Sequence, residues 1–123
     1  MAEGKTVLVL DDSPSIRQVV RLTLSRAGYL IVEAADGVQA LEKLGTEHVD
    51  LIVSDLNMPK MDGLTFIARL RELPEGKFIP VIMLTTESDD DKKLVAKNLG
   101  VQAWFVKPFE PEKLVSIVKR LIG

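Results

Sequence analysis

The chain has 123 residues, of which 46% are hydrophobic and 28% charged, a balance that fits one globular domain with a single core and argues against disorder. A formal net charge of -2, with Lys and Arg dispersed along the chain, gives no support to a nucleic-acid surface. The absence of cysteine excludes disulfides, thiolate metal sites and thiol catalysis.

No apolar run approaches the roughly 20 residues a membrane helix needs. Residues 1–5 lead into a strand without a signal-peptide apolar region, which points to a cytoplasmic address and no membrane partner. Residues 6–10 form a leucine and β-branched run that predicts a strand ending in Asp11-Asp12. Ser13-Pro14 then signals a helix start, because Ser caps free N–H groups and Pro suits the first helical position. Ile16, Val19, Val20, Leu24 and Ala27 recur at helical spacing, with Gly28 as the stop. A second strand is predicted over 29–32 and a helix over 37–44, with Val38, Leu41 and Leu44 on one face.

The third strand, over 49–55, stops at a carboxylate, Asp55, and Asn57, Pro59 and the Asp62-Gly63 pair read as loop and turn. Leu64 to Arg71 marks a helix that fades into Pro74-Glu75-Gly76. A fourth strand covers 80–84 and ends in Thr85-Thr86, and a helix over 88–98 stops at Gly100. A fifth strand over 103–106 ends in Lys107-Pro108, and a last helix runs over 111–122 with Leu114, Ile117, Val118 and Leu121 on its apolar side. Five strand–helix alternations with short connections predict an α/β fold, a (βα)5 doubly wound five-stranded parallel sheet in the flavodoxin-like order 2-1-3-4-5. One domain is expected over 1–123, and its closing helix suggests that no output domain is attached.

Sites in such sheets form at the carboxyl ends of strands, and Asp11, Asp12, Asp55, Thr85 and Lys107 all stand there. Two unit charges about 4 Å apart at an effective dielectric of about 20 repel by about 4 kcal/mol. Lys107 alone cannot neutralise three acids, so a hard divalent cation is the expected complement: Mg²⁺, with Mn²⁺ as a substitute, rather than zinc, which prefers His or Cys. A cation and an ammonium beside one carboxylate make an anion receptor suited to moving a phosphoryl group onto Asp55, with Thr85 as a hydroxyl donor. Taken singly, each piece has a plainer use, such as a turn, a cap or a solvated strand end. His48 reads as a surface residue, Asp89-Asp90-Asp91 as acids favouring a helix start, and Met58 and Met61 as loop packing. No nucleotide-binding loop is present, so the donor brings its own phosphoryl group.

Four motifs together, Val7-Leu8-Val9-Leu10-Asp11-Asp12-Ser13, Ser54-Asp55-Leu56-Asn57-Met58-Pro59-Lys60-Met61-Asp62-Gly63, Leu84-Thr85-Thr86-Glu87 and Val106-Lys107-Pro108-Phe109, resemble the response-regulator receiver domains over the whole chain, and within them the single-domain chemotaxis type. The resemblance implies that Asp55 is the phosphoacceptor. Asp12 and Asp55 would ligate Mg²⁺ by their carboxylates, Asn57 by its main-chain carbonyl and Asp11 through water. Lys107 would bind phosphoryl oxygens, Thr85 would swing inward on phosphorylation, and Trp104 stands at the aromatic switch position. Lys107-Pro108 resembles the family's cis peptide. Thr86 stands where the family usually has Ala or Gly, which narrows the access path for a donor. Trp104 is bulkier than the usual Tyr or Phe. Asn57, Thr86 and Glu87 flank the site at positions that tune dephosphorylation.

The function so implied is a phosphorylation switch that promotes its own phosphotransfer and autodephosphorylation without being a turnover enzyme. Its expected partners are a CheA-like sensor histidine kinase and an output protein, such as a flagellar-motor switch protein or a phosphatase, with the chain itself monomeric. A phosphorelay intermediate or phosphate sink has the same Asp55 chemistry and differs only in partner. Less favoured are a phosphate-independent flavodoxin-fold binder, which Asp11-Asp12 would deprive of an anionic cofactor, and an aspartate-nucleophile phosphatase, whose nucleophile follows the first strand.

Overall fold

The computed structural model describes residues 4–123; the expectation of no signal peptide therefore falls in part, at residues 1–3, outside the described residues. The elements are β1 (Thr6–Leu10), α1 (Pro14–Arg26), β2 (Leu30–Ala34), α2 (Gly37–Thr46), β3 (Leu51–Ser54), α3 (Gly63–Glu72), β4 (Val81–Thr85), α4 (Asp90–Asn98), β5 (Val101–Val106) and α5 (Pro111–Ile122), with a 3₁₀ turn at Pro74–Gly76. All neighbouring strands pair in parallel, in the expected order β2-β1-β3-β4-β5. Helices cover both faces, so strands β1, β3 and β4 are apolar on both sides. Val7, Val9, Leu51, Val53, Ile82 and Leu84 pack with Val20 and Leu24 of α1 and Leu114 and Val118 of α5. Leu8, Leu10, Ile52, Val81 and Met83 face the opposite way, onto Ala40 and Leu44 of α2 and Phe66, Ile67 and Leu70 of α3.

Several boundaries move for local reasons. Helix α4 starts at Asp90 rather than residue 88 because the Asp89 side chain is the cap, accepting from Lys92 N–H. Strand β5 begins two residues early, at Val101, because a register shift between Val81 and Ile82 lets Val101 pair with Val81. The stop at Gly28 holds: φ is 101°, and Gly28 N–H and Tyr29 N–H close on the carbonyls of Ser25 and Leu24. Val19 and Val38, expected on core faces, are exposed, because the narrow buried stripes of their helices pass through Val20–Leu24 and Ala40–Leu44 instead.

The Asp62-Gly63 pair is not a free turn. Asp62 caps α3, its Oδ1 accepting Thr65 N–H at 2.8 Å, and Gly63 is the first helical residue. At the other end of α3, Arg71 donates to the carbonyls of Ile79 (2.6 Å), Leu99 (2.9 Å) and Gly76 (3.0 Å), which ties two loops at the amino edge of the sheet.

Asp50 joins the same edge. Its Oδ2 accepts Thr6 N–H at 2.8 Å and its Oδ1 lies 2.9 Å from Nε2 of His48, which is exposed as expected. Burial alone would raise the Asp50 carboxyl, but Thr6 N–H and His48 outweigh it and hold the group below its ordinary value. A depressed carboxyl stabilises the fold above its unfolded pKa, and that contribution fades as pH falls through the folded value. Asp50→Asn is therefore expected to cost about 1–2 kcal/mol at neutral pH. Urea melts across pH should show the deficit vanishing in strong acid; a pH-independent deficit would assign it to packing.

Candidate functional site

The site sits where the sheet's hydrogen bonding runs one residue past the strands. Asp11 N–H donates to the Ala34 carbonyl (3.2 Å), Asp55 N–H to that of Leu10 (2.8 Å), and Lys107 N–H to that of Thr85 (2.9 Å). Each functional side chain thus starts from a backbone the sheet has already placed. The Lys107–Pro108 peptide is cis, as the resemblance implied.

Asp11, Asp12 and Asp55 each offer a carboxylate oxygen, and these atoms lie within 4.8 Å of one another. Asp11 and Asp55 are buried, whereas Asp12 is exposed at the mouth. Lys107 reaches in with its Nζ 2.7 Å from Oδ2 of Asp11 and 3.5 Å from Oδ2 of Asp55. The ammonium therefore pairs most closely with Asp11, and only at longer range with the carboxylate expected to accept phosphoryl. Asp55 Oδ1 accepts the Leu56 N–H at 2.7 Å, while Ser54 Oγ donates to the Asp55 carbonyl at 2.8 Å. Burial pushes the Asp11 carboxyl above its ordinary value; the hydrogen bonds from Lys107 and Ser13 N–H oppose the rise without cancelling it, and the Asp55 charge adds to it. The donor set is all oxygen, and one ammonium leaves it with excess negative charge. These residues fit a hard divalent cation and form a potential metal site.

The remaining expected residues surround this cluster without joining it. Thr85 is fully buried, and its Oγ1 accepts Glu87 N–H at 3.3 Å; among the described residues no hydrogen bond joins it to Asp55. Trp104 is half-buried, with its indole N–H donating to the Glu87 carbonyl at 2.9 Å and Lys93 Nζ 5.8 Å from its ring. Glu87 is thus held at both backbone groups, by the two residues expected to move. Thr86 and Asn57, each one or two residues beyond a strand-end site residue, are exposed. Met58 and Met61 pack against the core as loop residues.

Sequence reasoning missed the supports. Arg17 Nη1 donates to the Asp11 carbonyl at 2.7 Å and its Nε to Glu33 Oε1 at 3.3 Å, while Arg21 Nε forms an ion pair with Glu33 Oε2 at 3.3 Å. The one available signal was an arginine a turn and a half after the acid pair, on a helix without acids. Lys60 was also missed. Its φ is 68°, and Met61 N–H closes on the Pro59 carbonyl at 2.7 Å, a γ-turn of the strained hand. The exposed Lys60 ammonium lies 3.7 Å from the buried Asp36 carboxylate, a long contact screened on the lysine side that contributes little. Lys60→Gly is accordingly expected to stabilise the fold by roughly 0.5–1 kcal/mol, to be read from chemical denaturation; a loss would show that the side chain carries the loop.

Residues 7–119 match the family described as the response regulator receiver domain. The chain belongs to that family. Its members act as phosphoacceptor switches. This receiver is 46% identical to the chemotaxis protein CheY4 of Vibrio cholerae, whose structure superposes with a TM-score of 0.90, covering 95% of this chain and 98% of that one. It is 39% identical over 119 residues to the chemotaxis protein CheY1 of Helicobacter pylori, covering 95% of this chain and 96% of the relative. The receiver domain of the Pseudomonas aeruginosa sensor histidine kinase PA1611, solved with a magnesium ion coordinated in its active site cleft, is 28% identical, with a TM-score of 0.88 and 98% of each chain covered. The receiver spans about half the length of the transcriptional regulators it also matches at 36–40% identity. Among the described residues no helix is long and apolar enough to cross a membrane.

Proposed function

We propose that this receiver is a cytoplasmic, single-domain response regulator of a chemotaxis-type two-component system, phosphorylated on Asp55 by a sensor histidine kinase. The observation that carries the chemistry is the Asp55 carboxylate, buried, oriented through Oδ1 by Leu56 N–H and faced by Lys107 in a mouth of three acids. Identities of 39% to CheY1 and 46% to CheY4 support the chemotaxis type. The magnesium ion in the PA1611 receiver supports Mg²⁺ as the cation.

Asp55, Asp12, Asp11 through water and the Asn57 carbonyl would hold the cation, which supplies charge screening for the carboxylates and polarises the phosphoryl oxygens. Asp55 Oδ2, the oxygen not committed to Leu56, attacks phosphorus; its P–O bond forms as the bond from phosphorus to the donor's histidine nitrogen breaks. Lys107 moves from Asp11 onto the arriving phosphoryl oxygens. Thr85 exchanges its long bond from Glu87 N–H for one to the phosphoryl group. That frees one of the two ties on Glu87, and Trp104, which holds the other, shifts with the loop. The affected surface is the α4-β5-α5 face, where Leu94, Val95 and Val106 are exposed, and it would bind the output partner. Asn57, Thr86 and Glu87 set how readily donor and water reach Asp55.

Intact mass after incubation with acetyl phosphate and Mg²⁺ tests this. One phosphoryl group is expected on the chain and none on Asp55→Asn. No adduct on either after rapid quenching, together with no binding of a beryllofluoride mimic, would reject the phosphoacceptor role.

A further inference from the structure

Asp11 is held at every polar atom: its N–H by Ala34, its carbonyl by Arg17, its Oδ1 by Ser13 N–H at 2.9 Å and its Oδ2 by Lys107. Asp12 is the opposite case. It is exposed, and its carboxylate makes no hydrogen bond or ion pair among the described residues, yet it points into the cluster. Its direction must come from the backbone. The Asp11 carbonyl lies in the same rigid plane as the Asp12 N–H and Cα, so whatever sets that carbonyl also sets the Cα from which the Asp12 side chain departs. Only Arg17 grips it among the described residues, at 2.7 Å from a side chain that is 18% exposed. Arg17 is in turn aimed by Glu33 of β2, whose second oxygen is taken by Arg21.

We propose that Arg17 is a positioning residue for the acidic cluster, directing Asp12 at the cation through the Asp11 carbonyl, with Glu33 aiming Arg17. This rests on the reading of the cluster as a divalent-cation site. Charge and geometry make opposite predictions here. A guanidinium behind three carboxylates opposes a cation, so if Arg17 acted by charge alone its removal would tighten binding. If it acts by position, its removal loosens Asp12 and weakens binding, as loss of an outer-shell support does at other metal sites.

The test is the Mg²⁺ dissociation constant by titration calorimetry on the whole chain, with melts in chelator to confirm that each variant is folded. Arg17→Met keeps the apolar stem and removes both hydrogen bonds; it is expected to weaken Mg²⁺ about tenfold or more. Arg17→Lys, which can still reach the carbonyl with one donor, should recover part of that loss. Arg21→Met removes the same charge from the same Glu33 without touching Asp11, and should leave the constant unchanged. Wild-type or tighter affinity in Arg17→Met, or equal weakening in Arg21→Met, would overturn the positioning role while leaving the cation site intact. No Mg²⁺ binding by the wild-type chain would overturn both.

Discussion

Lys107→Ala is expected to lose about 3 kcal/mol of stability at neutral pH in the absence of divalent cation. The ammonium sits between two buried carboxylates, 2.7 Å from one and 3.5 Å from the other, and removing one partner of a buried pair leaves an uncompensated charge. The loss should depend on pH in a defined direction. Burial already raises the Asp11 carboxyl above its unfolded value, so in the window between the two the native state holds more protons and stability falls as pH rises. Above that window Asp11 is fully charged and the Lys107→Ala deficit is greatest; in acid, with Asp11 neutral, the deficit shrinks. Mg²⁺ should restore much of it, since a cation at about 100 times its dissociation constant adds about 2.7 kcal/mol, and the variant should bind it more tightly for want of a competing ammonium. Phosphoryl labelling of Asp55 should nonetheless slow by about 10²–10³-fold, the typical cost of losing one donor to a developing charge. Urea melts at two pH values with and without Mg²⁺, and labelling time courses, check these separately. Wild-type stability together with wild-type labelling would remove Lys107 from the site.

Gly63→Ala is expected to be nearly as damaging, by overpacking. A Cβ on Gly63 would overlap the Asp55 carbonyl oxygen and lie 2.9 Å from Leu56 Cα. Both are main-chain atoms that a rotamer change cannot move. Gly63 N–H also donates to the Leu56 carbonyl at 2.7 Å, so the start of α3 is clamped against the residue that follows Asp55. Inserting one methyl group there should cost about 1–3 kcal/mol, or more where the backbone cannot yield. Relief would come from pushing α3 away from the end of β3, so labelling of Asp55 should fall even in the fraction that remains folded. Thermal melts and the labelling rate per folded molecule measure the two effects. An alanine variant with unchanged melting would mean that the helix start moves freely.

These two residues mark where reading along the chain ends. The five alternations, the sheet order and the strand-end positions of Asp11, Asp55, Thr85 and Lys107 were legible because each depends on neighbours within a few residues: apolar runs, a Ser-Pro cap, a glycine stop. Parallel pairing then places those ends on one edge, since right-handed crossovers leave few other arrangements. The Asp62-Gly63 pair looked like a turn because the same dipeptide serves turns and helix starts alike; only the packing of α3 on β3 shows that Asp62 caps and that Gly63 admits a backbone contact.

Amphipathic spacing identified α1 and α2 but not which of several apolar residues face inward, because that depends on the angle at which each helix meets the sheet. It therefore offered Val19 beside Val20 and Leu24, and Val38 beside Leu44, whereas the fold leaves Val19 and Val38 exposed and buries Val20, Leu24, Leu44 and the unforeseen Ala40. Which acid Lys107 pairs with, that Thr85 and Trp104 share Glu87, and that Arg17 reaches the Asp11 carbonyl were decided by tertiary structure alone. Side-chain pairing between residues distant in sequence is a matter of ångströms, and it is set only once the core has brought the elements together. The chemistry at the strand ends was written locally; which groups touch was settled by packing.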